Sequence, residues 1–187
     1  DERGYKDSIW TGYSESGVIT SQMAYEYGRI DGIAKTYTAS GTLASLRTYV
    51  KGELNGLTEY YYSKDHVKTS LEYKNDDPFT FHSLKDINGF NLDGGTLKNG
   101  TGSLKSYYDS SLIDGDTSAI LATYRSYVNG KLHGEAYNYD KNGKVIASGH
   151  YVDGLVQGTW SFARKRRRSD KVTGNDYIKN RLYNSAV

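Results

Sequence analysis

Hydrophobic and polar residues alternate along much of the chain, yet neither of the two faces that result is purely apolar. Leu46, Thr48 and Val50, for example, alternate with Arg47 and Tyr49. A period of two residues places successive side chains on opposite faces of a β-strand. The pattern therefore predicts strands of a sheet whose two faces are both partly exposed to solvent, rather than one half of a β-sandwich.

A frame of tyrosine and glycine divides this pattern into units of 24 residues. The frame is Tyr-x-x-Gly-x-x-x-Gly, and its complete copies begin at Tyr25, Tyr49, Tyr127 and Tyr151. A fixed period of this length is typical of repeat proteins, in which each unit is one supersecondary element. Since the segments between the frames alternate like strands, each unit is predicted to form a β-hairpin, with Gly-x-x-x-Gly connecting it to the next.

A second turn signal lies nine residues after the final glycine position of each frame. The residues at this position are Gly17, Gly41, Asp65, Gly89 and Gly143. Glycine and asparagine adopt positive φ at little cost. The pairs Asn88-Gly89 and Asn142-Gly143 are therefore predicted to close two-residue hairpins.

The middle of the chain, residues 74–126, departs from the frame. Asp76 and Thr80 replace the two glycines of one copy, and Pro78 between them cannot donate a hydrogen bond to a neighbouring strand. A later interval between frames is 30 residues instead of 24. The additional residues fall in 109–118, which we predict to be a long hairpin loop that projects from the array.

Together these signals predict an all-β fold. We expect a single-layer, twisted antiparallel sheet of about six tandem β-hairpins over residues 8–163. Residues 1–7 are interpreted as a polar lead-in, and residues 164–187 as a basic segment with a short helix at its end. Stacked hairpins satisfy the strand edges that a single hairpin would leave unpaired.

The short C-terminal helix is predicted from spacing and capping. Asn175 or Asp176 would cap its first turn, and Ile178, Leu182 and Tyr183 follow at helical intervals. Such a helix would pack on the last hairpin and close its open edge.

The two tryptophans stand at matching positions in the first and last units. Trp10 and Trp160 each lie two residues after the origin of a repeat, where the inner copies carry Ala34, Thr58 and Ala136. Their large rings are predicted to cover the exposed ends of the array, as terminal repeats must.

The unit from Tyr151 to Trp160, with Asn142-Gly143-Lys144 before it, resembles the bacterial variant of the MORN (membrane occupation and recognition nexus) repeat. The resemblance covers about residues 8–163 and implies a scaffold without chemistry of its own. Bacterial proteins of this type are often assigned as antitoxin or immunity components paired with a toxin. Eukaryotic ones are assigned as lipid-associated or assembly scaffolds. The resemblance thus implies a binding module that is not an enzyme, either an immunity protein or a structural scaffold.

The composition agrees with a thin sheet that binds another protein. Only 36% of the residues are hydrophobic, whereas tyrosine occurs 19 times and glycine 21 times. Tyrosine combines an apolar ring with a polar tip and is enriched in protein interfaces. The residues predicted to contact a partner such as a toxin are Tyr37, Tyr61, Tyr107 and Tyr139, with Asp114 and Asp116 of the long loop.

A basic run follows the last predicted strand, although the net charge of the chain is only +2. The run consists of Arg164, Lys165, Arg166, Arg167 and Arg168. Three interpretations stay open: a solvated terminal segment, contact with an acidic protein partner, or contact with anionic lipid or nucleic acid. The low net charge argues against nucleic acid as a partner of the whole chain.

No pattern of catalytic or metal-binding residues emerges from the sequence. Cysteine is absent, and His133 occupies a variable position that holds Asp31 or Asn55 in other repeats. The carboxylates fall mainly in predicted turns, where they favour turn formation. We therefore expect no enzymatic activity, metal, cofactor or small-molecule substrate. No apolar run approaches the roughly 18 residues of a membrane span, and the compartment stays open between the cytoplasm and the periplasm or envelope.

Overall fold

The computed structural model describes residues 4–108, 119–163 and 177–178, and within them every regular element is a β-strand. The strands of the first half are β1 (Ser8–Tyr13), β2 (Ile19–Glu26), β3 (Arg29–Tyr37), β4 (Leu43–Val50), β5 (Glu53–Ser63), β6 (His66–Lys74) and β7 (Asp77–Leu84). Those of the second half are β8 (Gly102–Tyr107), β9 (Leu121–Val128), β10 (Lys131–Tyr139), β11 (Val145–Val152), β12 (Leu155–Ala163) and β13 (Tyr177–Ile178). The prediction of an all-β fold built from hairpins is confirmed.

The strands form two antiparallel sheets in which neighbours in the chain are neighbours in the sheet. β1 to β7 form the first sheet, and β8 to β13 form the second. The array is therefore divided into two sheets, whereas the sequence had predicted a single sheet and had left its continuity through residues 74–126 open. The break falls at residues 85–101, whose only ladder contacts in the described chain are isolated bridges such as Gly95 with Leu104. Because glycines interrupt the alternation there, the segment cannot form a full strand.

The segment between β7 and β8 nevertheless connects the two sheets by hydrogen bonds. The amide of Leu92 donates to the carbonyl of Leu84 at 2.8 Å, and the amide of Phe81 donates to the carbonyl of Leu97 at 3.0 Å. On the other side, the amide of Lys105 donates to the carbonyl of Gly94 at 2.9 Å. The segment thus lies between β7 and β8 and is bonded to both.

The prediction of a C-terminal helix is wrong where the structure describes that region. Tyr177 and Ile178 form a strand that pairs antiparallel with Ala163 and Phe162 of β12. The free edge of β12 offers unpaired backbone groups, and pairing with a strand satisfies them directly. The remaining residues of the predicted helix, like the long loop 109–118, lie outside the described residues.

Six tight turns along one side of the array have the same conformation. Both central residues of each turn have positive φ, which defines the type I′ turn and matches the twist of the flanking strands. The turns are Tyr27-Gly28, Lys51-Gly52, Asn75-Asp76, Asn99-Gly100, Asn129-Gly130 and Asp153-Gly154. We call this side of the array the turn edge. The first glycine of each frame therefore lies in the turn itself.

Backbone hydrogen bonds link successive turns of the turn edge. In each turn the amide of the second central residue donates to a carbonyl of the preceding repeat, over 2.6–2.9 Å. The donor and acceptor pairs are Gly28 and Lys6, Gly52 and Ile30, Asp76 and Leu54, Gly100 and Phe79, Gly130 and Gly100, and Gly154 and Leu132. The turn edge is therefore continuous across both sheets, even where the strands are not.

The loops on the opposite side are longer than predicted. The amide of Asp140 donates to the carbonyl of Lys144 at 2.8 Å, and Gly143 has a φ of 74°. The carboxylate of Asp140 also accepts hydrogen bonds from the amides of Asn142 and Lys144. This is a three-residue loop, and residues 86–90 repeat it. The two-residue hairpins predicted for both loops are wrong, because the aspartate side chain stabilises the longer turn.

One face of each sheet, which we call the inner face, carries a row of directly paired residues. In the first sheet the row is Trp10, Met23, Ala34, Arg47, Thr58, Leu71 and Phe81. In the second sheet it is Leu104, Arg125, Ala136 and Gly149. Ala34, Thr58 and Ala136 occupy one repeat position and are at most 5% exposed. Small side chains there let larger neighbours close over the backbone.

The tryptophans occupy that same repeat position in the outer units but differ in their surroundings. Trp10 lies on the edge strand β1 and remains 48% exposed. Trp160 lies on β12, between β11 and β13, and its ring fills the space above Gly149. Its centroid is 5.3 Å from that of Tyr151, in an edge-to-face arrangement. Both tryptophans were predicted to cover an open end of the array. Only Trp10 lies at the open edge of a sheet.

Candidate functional site

A groove of about 460 Å³ opens on the inner face where the two sheets meet. Its walls come from β5, β6 and β7 on one side and from β8 and β9 on the other. Four tyrosines line it, namely Tyr60, Tyr73, Tyr107 and Tyr127. Its charged lining residues are Lys68, Lys105 and Arg125, and no carboxylate of the described residues lines it. The groove is thus rich in tyrosine and positively charged.

The floor of the groove is apolar and depends on a glycine. Leu71, Leu84 and Leu104 contribute aliphatic surface beside the ring of Phe81. A Cβ added to Gly94 would lie 2.1 Å from the Cζ atom of Phe81. The ring can therefore occupy this place only because residue 94 has no side chain.

Three of the groove's tyrosines have a raised pKa. Burial raises the pKa of Tyr73, and it likewise raises the pKa of Tyr127. Burial also raises the pKa of Tyr107, whose hydroxyl donates a hydrogen bond to the carbonyl of Asp93 at 2.9 Å. These phenols therefore act as neutral hydrogen-bond donors with large apolar faces.

Arg125 is held in place by neutral acceptors. Its guanidinium donates to the carbonyls of Tyr124 at 2.8 Å and Tyr137 at 2.7 Å, and to the side-chain oxygen of Asn138 at 2.5 Å. None of the described carboxylates forms an ion pair with it. Lys105, by contrast, forms an ion pair with Asp93, and hydrogen bonding to Lys105 lowers the pKa of that carboxyl. Within the described residues, the charge of Arg125 is therefore not neutralised by a carboxylate.

Arg47 occupies the repeat position of Arg125 on the first sheet. Each stands two residues before the tyrosine of a complete frame, Tyr49 and Tyr127 respectively. The guanidinium carbon of Arg47 is 5.5 Å from the ring centroid of Tyr60, which lines the groove. Hydrogen bonding to Tyr49 raises the pKa of Arg47, so that this side chain also remains charged.

Residues 30–51 and 132–153 match the family described as the MORN repeat variant. Each matched segment spans one hairpin, β3 with β4 and β10 with β11, together with the start of the next type I′ turn. These two segments are therefore similar to MORN repeats. Such repeats are in general modules that bind proteins or lipids. No curated protein matches this chain.

Three of the four predicted contact tyrosines lie outside the groove. Each lies at a register shift and pairs across the hairpin with an apolar residue: Tyr37 with Leu43, Tyr61 with Val67, and Tyr139 with Val145. Such aromatic and aliphatic cross-strand pairs stabilise a sheet. Tyr107 has the same position, opposite Leu121, and also lines the groove. The predicted contacts Asp114 and Asp116 lie outside the described residues, and so does the basic run 164–168.

Sequence reasoning missed the other lining tyrosines and the two arginines. Tyr73 and Tyr127 stand at the tyrosine position of the frame, and their regular recurrence does not distinguish them from the other frame tyrosines. The placement of Arg47 and Arg125 at one repeat position was a signal that could have been found in the sequence. No pattern in the sequence indicated the junction of the two sheets. This junction brings Tyr60 and Tyr127 into one groove.

His133 caps a turn of the repeat array. Its Nδ1 atom lies 3.4 Å from Oδ1 of Asp153 in the next turn. At the same repeat position, Asp31 accepts a hydrogen bond from the amide of Lys51 at 3.1 Å. Within the described ranges, no three His, Asp or Glu side chains cluster as metal ligands would. Nor does that part of the chain hold a helix long and apolar enough to span a membrane.

Proposed function

We propose that this chain is a bacterial immunity or antitoxin protein, a non-enzymatic module that neutralises a toxin by binding it. The observation that supports the proposal is the groove on the inner face, where four tyrosines and an apolar floor form a preformed concave surface. Tyrosine buries a large area at low entropic cost and is common among the residues that dominate binding energy. The groove therefore suits protein recognition.

The dimensions of the groove limit how the partner is bound. A volume of about 460 Å³ accommodates several side chains but not a folded domain. We infer that a loop or a terminal segment of the toxin enters the groove, while the rest of the toxin lies against its rim. Occlusion of that segment would block the toxin without any chemical step.

The proposal is tested by co-expressing the chain with the product of the neighbouring gene. We expect a one-to-one complex in size-exclusion chromatography and protection of cells that produce the toxin. Tyr60→Ala, at a partly exposed tyrosine of the groove, should weaken the complex at least tenfold. Tyr13→Ala, at an exposed tyrosine of β1 outside the groove, is the matched control and should leave it unchanged.

Two results would count against an immunity function. One is the absence of any complex or protection with the wild-type chain. The other is sedimentation with anionic liposomes that is lost when Arg164–Arg168 are replaced by serine, which would favour a structural scaffold or an envelope-associated protein instead.

A further inference from the structure

We infer that the groove is specific for an acidic, extended peptide segment, whose carboxylates bind Arg47 and Arg125. This inference rests on the proposed function and names the chemistry of the segment that the partner inserts. It is carried by three observations: the separation of charges between the two faces, the lack of ion pairs between either arginine and a described carboxylate, and the recessed position of the groove.

The strand glutamates and the two arginines lie on opposite faces of the sheets. Glu59, Glu72 and Glu135 are each adjacent in sequence to a residue of the inner row, namely Thr58, Leu71 and Ala136. Since neighbouring residues of a strand point to opposite faces, these carboxylates belong to the outer face. Arg47 and Arg125 belong to the inner rows themselves. The inner face is therefore positive in the groove at Arg125 and beside the groove at Arg47, next to Tyr60.

Neither arginine has its charge neutralised within the described chain. Arg125 is bonded to two carbonyls and an amide oxygen, and Arg47 lies against the phenols of Tyr49 and Tyr60. A carboxylate that reaches such a partly desolvated guanidinium forms a charge-assisted hydrogen bond, which is roughly twice as strong as a neutral one. The neutral phenols of Tyr73 and Tyr127 can donate further hydrogen bonds to the same ligand.

The shape of the site favours a peptide over a membrane surface. The groove is recessed between two sheets, whereas a bilayer presents its headgroups on a surface that is flat on this scale. When the segment between β7 and β8 is counted as one strand, six strand spacings of about 4.8 Å separate β4, which carries Arg47, from β9, which carries Arg125, so the span is at most about 29 Å. An extended peptide covers this distance with about nine residues. A short acidic segment can therefore reach both guanidinium groups.

A labelled decapeptide tests the inference on the full chain. The peptide carries two glutamates at each end, with leucine, tyrosine and serine between them, and binding is followed by fluorescence anisotropy. We expect the acidic peptide to bind and the same peptide with glutamine at those four positions to bind at least tenfold more weakly. Because the change is made in the peptide, this comparison does not depend on the folding of any protein variant.

Charge-reversed variants then locate the site. Arg47→Glu and Arg125→Glu should each weaken binding of the acidic peptide at least tenfold. Lys35→Glu makes the same change of charge on the outer face, between Gln22 and Leu46, and should change binding by less than twofold. Circular dichroism of each variant identifies any loss of fold.

Several results would overturn the inference. They are the failure of the acidic peptide to bind, equal binding of the glutamine peptide, or an equal loss in Lys35→Glu. Binding to vesicles with 20% phosphatidylserine that is lost in Arg125→Glu would assign the site to lipid instead. Toxin neutralisation that is unaffected by both arginine variants would refute this inference and leave the proposed function intact. Peptide binding without any neutralisation would refute the proposed function alone.

Discussion

The ring of Phe81 lies directly against the backbone of Gly94, and a Cβ at Gly94 would be 2.1 Å from its Cζ atom. Phe81 belongs to β7 of the first sheet, whereas Gly94 belongs to the segment that continues into the second. The amide of Lys105 in β8 donates to the carbonyl of Gly94. This contact therefore sets how closely the two sheets approach at the floor of the groove.

Gly94→Ala should destabilise the protein by steric conflict alone. The φ angle of Gly94 lies outside the left-handed region, so the backbone conformation there is accessible to alanine. The ring of Phe81, however, leaves no room for the Cβ atom of alanine. Overpacking of this kind costs about 1–3 kcal/mol, measurable by urea unfolding. In the double variant Phe81→Leu, Gly94→Ala, the combined cost should be smaller than the sum of the two single costs. Additive effects would show that the ring does not restrict residue 94.

Substitutions at Gly130 and Gly154 provide a matched comparison that tests the contact between the two sheets. The φ angles of these glycines are 83° and 84°, but a Cβ at Gly130 would lie 2.7 Å from Cβ of Asp77 in β7, whereas one at Gly154 has open space. Gly154→Ala should cost about 1 kcal/mol through backbone strain. Gly130→Ala should cost about 1–3 kcal/mol more because it also separates the sheets.

Thermal unfolding followed by circular dichroism compares these two variants. Equal losses of stability in Gly130→Ala and Gly154→Ala would mean that the turn at Gly130 does not contact Asp77 in solution.

Thr58→Val should stabilise the protein. Thr58 is 1% exposed, and its hydroxyl has no hydrogen-bond partner among the described residues. Removing an unsatisfied buried hydroxyl recovers about 1 kcal/mol of free energy of unfolding. Thr36→Val is the control with the opposite sign, because the hydroxyl of Thr36 lies 2.6 Å from that of the buried Ser45. It should cost about 1 kcal/mol, and chemical denaturation measures both changes.

The stability of the protein should fall at alkaline pH, in part through Tyr61. Burial, together with a hydrogen bond from its hydroxyl to Glu59, raises the pKa of Tyr61 to about 12. Since the folded state holds the neutral phenol more strongly than the unfolded state, this stabilisation is complete below the ordinary pKa of 10.0. It is lost as the pH rises toward 12.

Tyr61→Phe tests this pH dependence. The free energy of unfolding of the variant, measured by urea denaturation from pH 9 to pH 12, should fall less than that of the wild-type chain. Parallel curves for the two proteins would contradict a shifted pKa at Tyr61.

The repeating hairpins could be predicted because each one is specified locally. Positive φ at Gly52 or Gly154 and the alternation of the flanking residues act within a few positions of each other. The loop at Asp140 was predicted too short, since the pair Asn142-Gly143 fits two turn types and the hydrogen bonds of the aspartate decide between them. Local signals in the sequence therefore predict each hairpin but not the length of its loop.

The junction of the sheets and the groove depend on contacts far apart in sequence. Gly94 looks like any loop glycine until the ring of Phe81 is placed against it. Tyr60 and Tyr127 are separated by 67 positions and share a groove only because the segment between β7 and β8 bonds to both sheets. The prediction of a C-terminal helix was wrong for a similar reason. Tyr177 and Ile178 pair with the open edge of β12, although the spacing of residues in this segment is helical.

The hydrogen bonds of the turn edge constrain chain length on one margin of the array only. Successive turns there are 24 residues apart except before Gly130, where the interval of 30 is absorbed between β8 and β9 on the other margin. A sequence grafted between β3 and β4 or between β10 and β11 would leave every turn bonded to its neighbour. The same graft at Lys51-Gly52 would separate two repeats. The molecule can therefore acquire new segments without refolding, provided that they all emerge from the same margin.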